Sequence, residues 1–136
     1  VKVTASSRRL GDGLSNEVDL NRRHTITTDE PVSLGGADRG PAPHELLPAA
    51  LASCIATTVV AYARNRGWDV ETLVVDVDYD TDARPRRFGV AVQLPDGLSP
   101  EQVRRLERVA ASCPVRRALE GGFSFEERVL SMPRAA

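Results

Sequence analysis

Two cysteines are the residues best equipped for chemistry in this chain of 136 residues. Cys54 lies in a long apolar stretch, and Cys113 directly precedes Pro114. They are too far apart in sequence for a CxxC redox pair or a zinc knuckle, so only the fold can join them. Pro114 is suited to the first position of a helix, which places Cys113 at that helix's start. Unpaired amides and the helix dipole stabilise a thiolate there, favouring Cys113 as a low-pKa or redox-competent sulfur. Cys54 has no such local help, and apolar neighbours raise a thiol's pKa. The alternative is two unrelated buried cysteines serving as small hydrophobes.

Other candidates are weaker. His24 and His44 lack ligand spacing such as HxxxH, so no metal site is expected. Asp76, Asp78, Asp80 and Asp82 alternate as in a calcium loop. Thr81, however, stands where such a loop needs glycine and Arg87 where it needs a bidentate acid, so a hydrated strand face is expected. Gly35, Gly36 and Gly40 match neither GxGxxG nor a phosphate-binding loop.

The elements that must position the cysteines follow from pattern. Residues 1–30 alternate weakly around Gly11, Asp12 and Gly13, predicting two or three strands joined by tight turns, with Val1, Val3 and Ala5 on one side of the first. The Pro- and Gly-rich stretch 29–43 ends any sheet and makes a shaped loop. Residues 45–66 have almost no polar face, predicting a central helix covered on several sides, with Pro48 near its start and Gly67 as its stop. Trp68 follows as a cap over the core. Residues 70–82 and 87–94 read as an antiparallel pair, the four aspartates facing water.

Ser99, Pro100 and Gln102 form a strong helix start, with Val103, Leu106, Val109 and Ala110 at helical spacing up to about Ser112. A short helix over 115–119 and a last strand over 123–130 complete an α+β chain expected to form a single domain, residues 1–136.

Composition sets the frame. The chain is 41% hydrophobic and 27% charged, an ordinary globular balance. Its 18 basic and 19 acidic residues give a net charge of -1, so no global field draws nucleic acid or an anionic membrane. Two cysteines are too few to staple a secreted framework, and the start carries no charged region followed by an apolar run. A cytoplasmic setting is expected. The apolar stretch 46–63 includes Pro48, Ser53, Thr57 and Thr58 and reads as a buried helix, not a membrane span.

Taken together, Gly35-Gly36, then G-P-A-P-H-E-L-L-P-A-A-L-A-S-C from Gly40 to Cys54, Y-A-R-N-R-G-W from Tyr62 to Trp68, and S-C-P-V-R-R-A-L from Ser112 to Leu119 resemble the OsmC/Ohr family of osmotically induced and organic-hydroperoxide-resistance proteins. The resemblance spans most of the chain. It implies an OsmC-like fold in which antiparallel strands wrap two long central helices of an intertwined homodimer, with an active site at each interface. It also implies a thiol-dependent peroxidase that reduces organic hydroperoxides. Cys54 would be the peroxidatic sulfur and Cys113 the resolving one, with the disulfide reduced by an external dithiol such as a lipoyl group and no bound cofactor. Peroxidase members activate the thiolate with an arginine held by a glutamate. Counting back from Cys54, that glutamate's position is held by His44, so Glu45 is the candidate acid and Arg23 the candidate arginine, with Arg22 and Arg39 as rivals. The alternative function is a redox-sensing or small-molecule-binding member without efficient turnover.

Overall fold

The structure, a computed structural model, describes residues 1–134. Three short strands open the chain: β1 (Ala5–Arg9), β2 (Asn16–Leu20) and β3 (His24–Thr28). They form an antiparallel meander in the order β1-β2-β3, with Val18 opposite Ile26. The strand begins at Ala5, so Val1 and Val3, expected within it, precede it and are exposed. At the β2–β3 turn, Asn21 and Arg22 both adopt left-handed backbone (φ 56° and 58°), and Asp19 accepts the Arg22 amide at 2.7 Å. This sheet packs mainly on itself.

The loop that follows is organised by one carboxylate. Asp29 is 1% exposed and accepts hydrogen bonds from Ser15 Oγ and from the amides of Glu30, Ala37 and Arg39. Burial pushes its pKa up, but those four donors outweigh it, and the carboxyl titrates below its ordinary value. Gly36 and Gly40 are packed against backbone: a Cβ would lie 1.9 Å from Glu30 O at the first and 2.1 Å from Thr27 O at the second. The loop is thereby pinned to the end of β3 and delivers the chain to a 3₁₀ turn (Pro43–Glu45) and then α1 (Leu46–Asn65).

Pro48 falls in the first turn of α1, where its missing amide costs no hydrogen bond. Leu51, Ile55, Val59 and Ala63 recur every fourth residue and form the buried stripe. They meet β4 (Val74–Asp80) and α2 (Pro100–Ala111), whose Leu106 and Ala110 are also buried. In register, Val75 faces Val92, Val77 faces Val90 and Tyr79 faces Phe88 on the inner side of the β4–β5 hairpin (β5, Arg87–Gln93), while the aspartates of β4 are exposed as expected. Ser99 and Gln102 complete the capping box of α2, and α3 (Pro114–Gly121) follows. Trp68 is half-buried against the core.

Two further features depart from the sequence reading. The face of α1 opposite that stripe is open: Leu47 is 40% exposed and Ser53, Thr57 and Ala61 are exposed, and the segment Pro43–Asn65 is long and apolar enough to cross a membrane by length and composition. Its buried stripe against strand and helix is nevertheless the packing of a core helix. The strand expected over 123–130 is absent. Residues 123–134 carry no regular structure, and Phe125 is 89% and Val129 93% exposed. A strand needs an edge to pair with, and this segment meets none among the described residues.

Candidate functional site

Cys54 sits midway along α1, one position before the buried Ile55, and is half-buried at the border of the core stripe. Its depth in the helix follows from the apolar run around it. Cys113 is the N-cap of α3, in extended backbone (φ -62°, ψ 142°), and is fully buried. Its Sγ accepts the Arg116 amide at 3.3 Å, so the sulfur satisfies one of the helix's orphan donors.

The fold brings the two thiols into one neighbourhood: Cys54 packs against the core cluster to which Cys113 belongs, near enough to raise the Cys113 pKa. Both cysteines are free. Cys113 does not have the low pKa that its place at a helix start favours. Burial pushes the thiol above its ordinary value, and the neighbouring Cys54 raises it further. The amides of Arg116 and Val115 pull it back only in part. A neutral, buried sulfur at a helix cap beside a more accessible one can attack an oxidised partner but is badly placed to meet a peroxide first.

The other expected residues are placed elsewhere within the chain. Glu45 is the N-cap of α1 and exposed. Nine residues separate it from Cys54, which at helical rise and rotation is about 13 Å along the axis and half a turn round it. Arg23 is exposed at the β2–β3 turn, and neither residue forms an ion pair among the described residues. Arg22 and Arg39 are exposed as well. His44 contacts Tyr79 edge-on, with ring centroids 6.2 Å apart.

The ion-paired arginine of α3 was not legible as a site residue. Arg116 Nε donates to Glu120 at 2.7 Å, and the residue lines two adjoining grooves, one of about 310 Å³ between α1, β5 and α2 and one of about 720 Å³ between α1, β5 and α3. Leu51 and Ile55, the core residues bracketing Cys54 on α1, line these grooves, with Val90 common to both. The sequence signal was the i, i+4 spacing of Arg116 and Glu120 directly after the second cysteine. Among the described residues no cluster of three or more His, Cys, Asp or Glu side chains could hold a metal.

A family model described as OsmC-like protein matches residues 35–128, which include both cysteines. Among solved structures, a proposed osmotic stress induced and detoxification response protein from Psychrobacter arcticus is 27% identical, with a TM-score of 0.71 over 84% of this chain and 85% of that one. An organic hydroperoxide resistance protein OsmC from Legionella pneumophila is 20% identical, with a TM-score of 0.63 over 89% and 90%. The organic hydroperoxide resistance protein OhrB of Bacillus subtilis is 18% identical, with a TM-score of 0.56 over 89% and 92%. The last two likenesses are of fold. No curated protein matches the chain by sequence.

Proposed function

The chain belongs to the OsmC-like protein family, and from that premise we propose that it is a two-cysteine peroxidase that reduces organic hydroperoxides. The observation that carries this reading is the convergence in one core of a partly exposed helical thiol, Cys54, and a buried capping thiol, Cys113, whose pKa it raises. The Cys54 thiolate attacks the outer oxygen of the peroxide. The O–O bond breaks, the alkoxide leaves and takes up a proton, and the sulfur becomes a sulfenic acid. The Cys113 thiol then attacks that sulfur, a disulfide forms and water leaves. An external dithiol of the lipoyl type restores both thiols while becoming a disulfide itself.

Activation of Cys54 requires a cation, and two sources come into question. Arg116, already held by Glu120, lines the grooves beside the Cys54 segment. Arg23 and Glu45 would be supplied across the interface of a homodimer, the state in which the open face of α1 and the apolar segment 123–134 find cover. We place this chemistry in the cytoplasm, where free thiols persist.

The test is incubation of the reduced protein with cumene hydroperoxide and a dithiol, following peroxide loss and the Cys54–Cys113 disulfide by intact mass. Catalytic consumption abolished by Cys54→Ser supports the reading, and absence of Cys54-dependent turnover with any dithiol overturns it. A second reading, a redox sensor or small-molecule-binding member, is favoured by the distance and facing of Glu45 relative to Cys54. Stoichiometric oxidation without recycling selects it.

A further inference from the structure

A second charged cavity lies at the far end of α1. It holds about 480 Å³ between the last turns of α1 and the start of α2, and its walls include Tyr62, Trp68, Glu101 and three arginines, Arg66, Arg105 and Arg108. Tyr62 is eight residues beyond Cys54, about 12 Å along the helix.

The arginines are arranged, not merely present. The Arg66 guanidinium lies over the Tyr62 ring with its carbon 3.7 Å from the centroid, and Trp68 meets the same ring edge-on at 5.9 Å. Arg105 Nε donates to the Tyr62 hydroxyl, its guanidinium carbon 5.6 Å from the ring centroid. This bond leaves the terminal amino groups of Arg105 free to donate. Two guanidiniums thus crowd one aromatic ring, with a third in the same wall. Glu101 is the lone acid lining the cavity, and none of these four residues forms an ion pair among the described residues. Like charges held so close repel unless an anion joins them. Three positive charges against one negative leave a surplus suited to a polyanion, and planar forks fixed by an aromatic ring suit phosphate oxygens.

We infer that this cavity is a binding site for a diphosphate-bearing small molecule, held by Arg66, Arg105 and Arg108 on the Tyr62–Trp68 platform. The site is independent of the thiol pair. Two sources share the chemistry, free pyrophosphate and a nucleoside diphosphate, whose base would find an aromatic neighbour in Trp68.

Trp68 is the sole tryptophan and lines the cavity, so its emission reports occupancy. The full chain is titrated with sodium pyrophosphate and, separately, with ADP, each against sodium chloride of matched ionic strength. The expected result is a saturable change with either ligand and none with chloride; tighter binding of ADP identifies the nucleotide as the source, equal or weaker binding the free diphosphate. The double variant Arg66→Gln/Arg105→Gln weakens binding at least ten-fold, Tyr62→Phe weakens it less, and Cys54→Ser leaves it unchanged. Where the double variant fails to fold, Arg108→Gln takes its place and is expected to reduce the phosphorus line-broadening of pyrophosphate. A response matched by chloride, or arginine variants that titrate like the parent protein, overturns the proposal.

Discussion

At the scale of single residues, the two sulfurs differ in accessibility in the sense the proposed chemistry needs. Cys54 is half-buried, whereas Cys113 is sealed and its pKa is raised by burial. Iodoacetamide at neutral pH is expected to label Cys54 first, with Cys113 following only on unfolding, as peptide mass mapping would reveal. Since Cys113 holds its proton more tightly folded than unfolded, its contribution to stability is present below the unfolded thiol pKa and is lost as pH rises through the folded one. Asp29 has the opposite sign. Its lowered pKa contributes stability above the unfolded carboxyl value, and that contribution is lost as pH falls through the folded one. Thermal unfolding of Asp29→Asn is therefore expected to start lower than the parent at pH 7 and to converge with it in strong acid. The cap position of Cys113 could be read from Pro114 alone. The raised pKa could not, because it depends on burial under α1 and on a thiol far away in sequence, and the four donors of Asp29 are likewise scattered from Ser15 to Arg39.

At the scale of elements, local signals carried most of the reading. The Ser99–Gln102 box fixed the start of α2 and the alternation of valine and aspartate fixed β4, whereas the apolar run 45–66 gave α1 as a helix but not its buried face, because apolar residues on every side hide the stripe Leu51, Ile55, Val59 and Ala63 that packing selects. Ile55→Ala removes a fully buried side chain next to Cys54 and is expected to cost about 3 kcal/mol in chemical denaturation. Gly40→Ala drives a methyl into the Thr27 carbonyl, and a loss of about 2 kcal/mol or more is expected by the same measurement, together with slower oxidation of Cys54 as the loop entering α1 shifts. The segment 123–130 has the alternation of a strand but no partner edge. Its pattern states a propensity, and pairing is decided elsewhere.

At the scale of the whole molecule, one chain leaves much apolar surface in water. The open side of α1 with Leu47, the residues Val1 and Val3 ahead of β1, and the segment carrying Phe123, Phe125, Val129, Leu130 and Met132 all present it. The proposed homodimer is expected to run near twice the 14.7 kDa chain mass in light scattering, and Phe125→Asp combined with Leu47→Asp to shift it toward one. A parent protein that stays at the single-chain mass across micromolar concentrations would remove the dimer, and with it the route by which Arg23 reaches Cys54. The assignments of Arg23 and Glu45 came from resemblance; within the chain Arg23 is exposed at the β2–β3 turn and Glu45 lies about 13 Å along α1 from the thiol.

In the proposed cycle the Cys113 sulfur would be employed twice. As a thiol it accepts the Arg116 amide and holds the first turn of α3; as half of a disulfide it is turned toward Cys54 and becomes a poorer acceptor. The oxidation state of the pair is then written into the fraying of a helix. Amide hydrogen exchange at Val115 and Arg116 should quicken on disulfide formation and slow again on reduction, so α3 would report each turn of the cycle through its own breathing.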